Sequence, residues 1–279
     1  MKQGCPHFVT GDFKPHHKFL SDETYALALD SIVKACSDVL IVRPSDDHFY
    51  LGKRKVEPQP DWWFIGGRSK PGDTTIDAAV RNVKRELGLS FEQSRFRVIA
   101  TYSFAWEKRQ QAPQTNGTAD ISVIHALVLR DDEVSKIVLD ENEYDDAQWW
   151  SADDILTGAF HPALKQAVLD WRLARETDQL RDTVASRSDN WGVIAGAAKS
   201  FIKVMDEACG AQRTNVSFSN GVYDVSADGK KTHFDTTPTK PTVPSSPGNR
   251  SGFGLAALAL GSLLASGAIG FGVGRFLRR

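Results

Sequence analysis

A glycine pair, Gly66-Gly67, is followed by Arg68, a short loop through Gly72 and Asp73, and a helix-patterned stretch that closes on Arg81, Asn82, Lys84, Arg85, Glu86 and Gly88. Glu86 falls on the polar face of that stretch beside the glycine loop, a place where a carboxylate oxygen suits a divalent cation. Lys53, Arg54 and Arg68 stand at strand ends facing the same loop. Cationic side chains there suit phosphate oxygens, and arginine can hold two at once. The ordinary alternative for these three is a solvated basic surface.

Such groups work only if rigid elements hold them. Residues 74–87 carry Ile76, Ala79, Val80, Val83 and Leu87 on one face, which predicts an amphipathic helix with Asp73 as its cap and Gly88 as its stop. Leu20 to Cys36 repeats Tyr25, Ala28, Leu29, Ile32 and Val33 at helical spacing behind Ser21 as N-cap, so a helix is expected before the sheet. Val39 to Val42 and Phe49 to Gly52, separated by Pro44-Ser45-Asp46-Asp47, read as a hairpin ending in Lys53-Arg54-Lys55. Further strands are expected at Trp63 to Ile65, 96–105, 119–130 and 148–150, with helices at 162–180 and 191–208. Trp62 and Trp63 could stack on a base, although tryptophans beside a glycine turn more often close a core. His125, inside the apolar run Ile121 to Leu129, reads as a core residue.

The net charge of −1 supplies no long-range field that would gather nucleic acid, so any anionic ligand has to be met by local cations. Cys5, Cys36 and Cys209 are far apart and form no CxxC pair, which excludes a zinc cluster or a disulfide framework on spacing. Residues 1–17 hold no apolar run of signal-peptide length. Residues 236–250 are rich in Thr, Pro and Ser and read as a linker. Ser251 to Gly274 contains no charged residue over 24 positions. As a helix it would reach about 36 Å, enough to cross a bilayer core. Ser266, Gly270 and Gly274, like Ala257, Gly261 and Ala265, recur at every fourth position, a spacing that lets two such helices approach and form a homodimer. The expected organisation is an irregular N-terminus over 1–17, a domain over 18–180, a helical extension over 181–235, the linker, and a single-pass anchor over 251–274 that leaves the domain on the cytoplasmic side.

The run from Gly67 through Leu89 resembles the Nudix box, GX5EX7REUXEEXGU, with Asp73 in place of the first glutamate and Arg81, Glu86, Gly88 and Leu89 at its landmarks. The resemblance implies an α/β fold, the Nudix α-β-α sandwich with a mixed sheet. It also implies hydrolysis of a nucleoside diphosphate compound with Mg2+, or Mn2+ in its place. Asn82 and Arg85 stand where the box has glutamates, and Arg85 would repel Mg2+ unless it turned away, leaving Glu86 as the only helical ligand. Over about residues 18–165 the chain resembles most the GDP-mannose mannosyl hydrolase branch, in the strings LSDETYALALDSIVKACSDVLIV, FYLGKR, GGR, RELGL and YDDAQWWSADDIL. That branch implies a nucleotide-sugar substrate, substitution at the anomeric carbon, and a metal held by Gly66, Glu86 and Glu143; on the residue reading above, Lys53, Arg54 and Arg68 would hold the diphosphate. The branch's general base is a histidine at the place of Tyr144. Glu143, Tyr144, Asp145 and His161 are the candidates for that role here.

Overall fold

The computed structural model describes residues 5–43, 45, 47–187, 189–210, 213–227 and 229–234. The chain divides into Met1–Thr239 and Lys240–Arg279. The linker over 236–250 and the anchor expected over 251–274 lie outside the described residues, and among those described no helix is long and apolar enough to cross a membrane.

In chain order the first unit holds α1 (Asp22–Ser31), β1 (Lys34–Arg43), β2 (His48–Arg54), β3 (Trp62–Trp63), β4 (Ile65–Arg68), α2 (Thr75–Leu87), β5 (Phe96–Trp106) and β6 (Thr118–Val128). It continues with α3 (Asp131–Val134), β7 (Tyr144–Ser151), α4 (Ala152–Thr157), α5 (Pro162–Ser186), α6 (Trp191–Ala208), β8 (Thr214–Ser219), β9 (Val222–Ala227) and β10 (Lys230–Phe234). Strands β1 to β7 form one mixed sheet in which β1 runs parallel to β6, and every other pair is antiparallel. The expected mixed-sheet α-β-α sandwich is what forms.

Period-two alternation along β1 sorts its side chains between two cores. Val39 and Ile41 join Ile65, Val83, Leu87 and Leu127 under α2, while Leu40 and Val42 join Phe49, Leu51, Ile124, Leu164 and Trp171 under α4 and α5. Each fully buried aliphatic side chain contributes roughly 1.5–3 kcal/mol relative to exposure, so this strand anchors both layers.

The free edge of β1 is shared. Cys36 to Val39 pair with Arg68 to Ile65 of β4, and Ile41 to Arg43 pair with Tyr50 to His48 of β2. Where the two partners diverge, the sheet opens beside Gly66. Only glycine fits there, because a Cβ on Gly66 would lie 2.3 Å from Asp38 Oδ1 and 2.7 Å from the Ser37 carbonyl oxygen.

Three expectations need correction. The helix over Leu20 to Cys36 ends at Ser31, since Lys34 onward pairs with β6 and leaves Ile32 and Val33 at 55% and 56% exposure, outside any core. Asp73 is not the cap of α2: Thr74 is, in a reciprocal capping box with Asp77, and Asp73 instead accepts from Arg81 at 2.6 Å. The extension over 181–235 is not only helical. After α6, strands β8, β9 and β10 form a separate antiparallel sheet.

Tyr223 joins that small sheet to the residues before β3. Tyr223 of β9 is fully buried, donating its hydroxyl to Asp61 Oδ2 at 2.7 Å and accepting from Gln59 Nε2 at 2.7 Å. Its ring meets His161 edge-on at 5.9 Å, in a slot shared with Trp63, Phe104 and Trp106.

Candidate active site

A cleft of about 240 Å³ opens at the split in β1 and is lined from β1 by Lys34, Cys36 and Asp38, from β4 by Gly66, Gly67 and Arg68, and from elsewhere by Arg54, Arg85, Asp120 and Glu143. Beneath two of these lining residues, Gly66 and Arg85, Glu86 forms a floor that is itself fully buried, although it projects from the second-to-last residue of α2. Burying a carboxylate is costly unless its oxygens are met by donors. Here they are. Glu86 Oε2 accepts from the Gly66 N–H at 3.0 Å and from the Tyr144 hydroxyl, and Oε1 accepts from the Arg85 guanidinium.

Tyr144 pairs with Arg54 across the sheet and reaches this position because its ring lies over Gly52 of β2, which has no side chain. A Cβ on Gly52 would meet the Tyr144 ring at 2.4 Å. Burial and the neighbouring Glu86 carboxylate push the Tyr144 phenol well above its usual range, so it serves as a hydrogen-bond donor and not as a base. Burial also pushes Glu86 up, to about 7, against the pull of the Tyr144 hydroxyl and Arg85.

The candidate residues separate into two groups. Gly66, Arg68, Arg54 and Glu143 line the cleft, while Glu86 reaches it only through Gly66 and Arg85, and Tyr144 lies behind Glu86. Lys53 and Asp145 do not join them. Lys53 stands one residue from Arg54 and pairs in register with Trp62, so alternation turns it to the other face, and Asp145 is the extra residue of a bulge between Tyr144 and Asp146. Lys53 Nζ lies 5.9 Å from the Trp62 ring centroid, and the mostly exposed Asp145 pairs with Lys55 at 3.8 Å. His161 is buried in the aromatic slot, accepts from the Ala163 N–H at 3.1 Å, and is held neutral by burial, its pKa pushed down to about 3. Trp63 is in the core, and His125 is wholly buried and pushed down to about 4.

Sequence reasoning passed over Asp38, Asp120 and Lys34. Asp38 stands immediately before the apolar Val39 to Val42, and an acid opening such a run is the available signal. Its Oδ2 accepts from the Ser122 hydroxyl at 2.7 Å, and burial pushes its carboxyl up to about 6. Lys34 and Asp120 form an ion pair at 2.7 Å on the cleft wall.

The donors implied for a divalent ion do not fit one. Arg85 Nη2 contacts both Glu86 Oε1 and the Gly66 carbonyl oxygen, the latter at 3.4 Å, and Arg54 Nη2 holds Glu143 at 3.3 Å. Asn82 offers nothing better, since its Nδ2 donates to the carbonyls of Ser37 and Gly67 at 3.2 and 3.0 Å and its Oδ1 accepts from Arg81 at 3.1 Å. Among the described residues no three His, Cys, Asp or Glu side chains converge on a common point.

Comparison with known proteins bears on the same region. The model of the NUDIX domain matches residues 35–171, and the chain carries a NUDIX domain there. Among solved structures, a MutT NUDIX hydrolase from Burkholderia pseudomallei is 19% identical with a TM-score of 0.40, over 50% of this chain and 97% of that one. An Ap4A hydrolase from C. elegans is 16% identical with a TM-score of 0.37, over 50% of this chain and 96% of that one. A MutT/nudix family protein from Enterococcus faecalis is 16% identical with a TM-score of 0.34, over 43% of this chain and 44% of that one, so this chain spans less than half of that protein's length.

Proposed function

We propose that this chain is a Nudix-type hydrolase of a nucleoside diphosphate compound, and that its substrate is a nucleotide diphosphate sugar of the GDP-mannose kind, cleaved at the anomeric carbon. The observation that carries this reading is that the Asp38 carboxyl lines one cleft together with Arg54, Arg68 and Arg85. In such a site water attacks the anomeric carbon, the bond from that carbon to the diphosphate oxygen breaks, and the departing nucleoside diphosphate takes the electron pair. Fixed guanidinium groups stabilise the negative charge that develops on it. Asp38 takes the proton from water, a role suited to a carboxyl whose pKa sits near 6 and which is therefore ionised at neutral pH.

Attack at phosphorus is the weaker reading, because it asks for a carboxylate-rich helix face and α2 presents Asn82 and Arg85 there. The Mg2+ or Mn2+ that the resemblance implies is not part of this mechanism, since its oxygen donors are already engaged. The engagement of Glu86 by Arg85 and Tyr144 favours one other reading, a domain that grips the same ligands without turning them over. The membrane anchor over 251–274 and a homodimer formed through it belong to the proposal as the means of holding the domain at a cytoplasmic membrane surface.

A panel of nucleotide sugars given to the full chain, with Mg2+ and separately with a chelator, tests this. Free sugar and nucleoside diphosphate are the expected products. Sugar phosphate and nucleoside monophosphate would instead mean attack at phosphorus. Binding without any product would mean the silent domain.

A further inference from the structure

The box helix departs from the pattern it resembles at two positions, and the structure shows that the two departures act together. Arg85 brings one nitrogen to the Gly66 carbonyl oxygen and the Glu86 carboxylate, two of the three groups that the resemblance assigns to a metal. Arg54 answers the third, Glu143. A glutamate at 82 would press its carboxylate against the carbonyls of Ser37 and Gly67, whereas the amide of Asn82 donates to both. Asn82 thus meets both carbonyls without a metal ion between them, and Arg85 supplies the cation that Glu86 needs.

We propose that the Arg85 guanidinium is the resident cation of this cleft, seated where a divalent ion would otherwise lie and excluding it. The mechanism is electrostatic and steric. A divalent ion would have to approach the same two oxygens against a fixed positive charge, and arginine does not lose its proton to make way. Burial pulls the Arg85 pKa down, and the Glu86 carboxylate more than offsets it, so the guanidinium keeps its proton. Arg85 is also 46% exposed while Glu86 is sealed beneath it, so one end of the pair faces the cleft and any anion that enters.

The inference rests on the nucleoside diphosphate reading only for the identity of the anion, and its test is built to separate the two. Mn2+ is titrated into the full chain and free ion is read by electron paramagnetic resonance. The wild type is expected to leave the free-ion signal unchanged up to about 1 mM. Arg85→Glu, and more weakly Arg85→Gln should the first variant misfold, is expected to bind Mn2+ about tenfold or more tightly than the wild type. Wild-type binding as tight as that of Arg85→Glu overturns the proposal, and so does the failure of both folded variants to gain affinity.

Calorimetry with GDP forms the second arm. Wild-type affinity is expected to be the same in Mg2+ and in chelator, and Arg85→Ala is expected to lose about tenfold in both. A requirement for Mg2+ would overturn the proposal. If GDP binds under neither condition, the nucleoside diphosphate reading fails, and the Mn2+ arm still decides the role of Arg85.

Discussion

Two buried tyrosines in this molecule donate to buried carboxylates, and the surroundings of the two pairs differ. Under the cleft, Tyr144 donates to Glu86, whose other oxygen is met by a guanidinium. In the aromatic slot, Tyr223 donates to Asp61 and accepts from Gln59, and no cation touches the carboxylate in the contacts described. Burial raises the pKa of both acids. The first pair therefore keeps a charge next to solvent, as a binding site requires. The second is a hydrogen-bonded chain closed over by rings, as a joint between substructures requires.

The largest test of this contrast is Glu86→Ala. It removes the acceptor for the Gly66 N–H and the Tyr144 hydroxyl and leaves Arg85 without its partner, so a loss of about 3–5 kcal/mol in denaturant unfolding is expected. A loss within about 0.5 kcal/mol, the range of ordinary surface changes, would mean that the floor is not a charged pair in solution.

Asp38 sharpens the comparison from the cleft wall. Its folded pKa, about 6, lies above the ordinary carboxyl value of 3.8, so the folded state holds the proton more tightly. The stability this confers is fully present below about pH 4 and is lost as pH rises through 6, amounting to about 3 kcal/mol over the interval. Asp38→Asn is expected to flatten that slope in urea unfolding measured across the window. It should also lower turnover by roughly 10²–10⁴-fold, since the base is gone. An unchanged slope would mean that Asp38 is as well solvated folded as unfolded.

Tyr223→Phe has a smaller expected effect, about 1–3 kcal/mol, because it leaves the ring in place and strands Gln59 and Asp61. Limited proteolysis of residues 213–234 reads it directly, since the small sheet should loosen before the domain does. Cleavage no faster than in the wild type would mean that the sheet is held elsewhere.

The cleft's position was legible because α2 is strongly periodic and Gly66-Gly67 and Gly88 bracket its approach and end. The seat of Arg85 was not, because helical periodicity says which face a residue occupies and not which oxygen its flexible end selects. The first strand was misread at Lys34 to Cys36, where pairing with β6 overrides a run that also fits a helical stripe. The small sheet was passed over although Asn220-Gly221, both at positive φ, is a hairpin signal between alternating residues. The stripe of α6 dominated that stretch. Asp61 and Tyr223 are 162 residues apart, and no local pattern joins them.

Lys53 gives the finest test, because it was grouped with Arg54 on the sequence and the sheet sets them on opposite faces. Arg54 lines the cleft and pairs with Glu143, while Lys53 lies over Trp62 and acts at a distance on Asp61, opposing the upward push that burial gives that carboxyl. Arg54→Ala is expected to weaken GDP binding about tenfold, as for the loss of one charged contact to a phosphate. Lys53→Ala is expected to leave that affinity unchanged and to shift stability by less than about 0.5 kcal/mol, as a surface substitution does. Equal losses for the two variants would mean that the edge of β2 turns in solution so that both residues face the ligand, and the division between cleft and slot would then have to be drawn elsewhere.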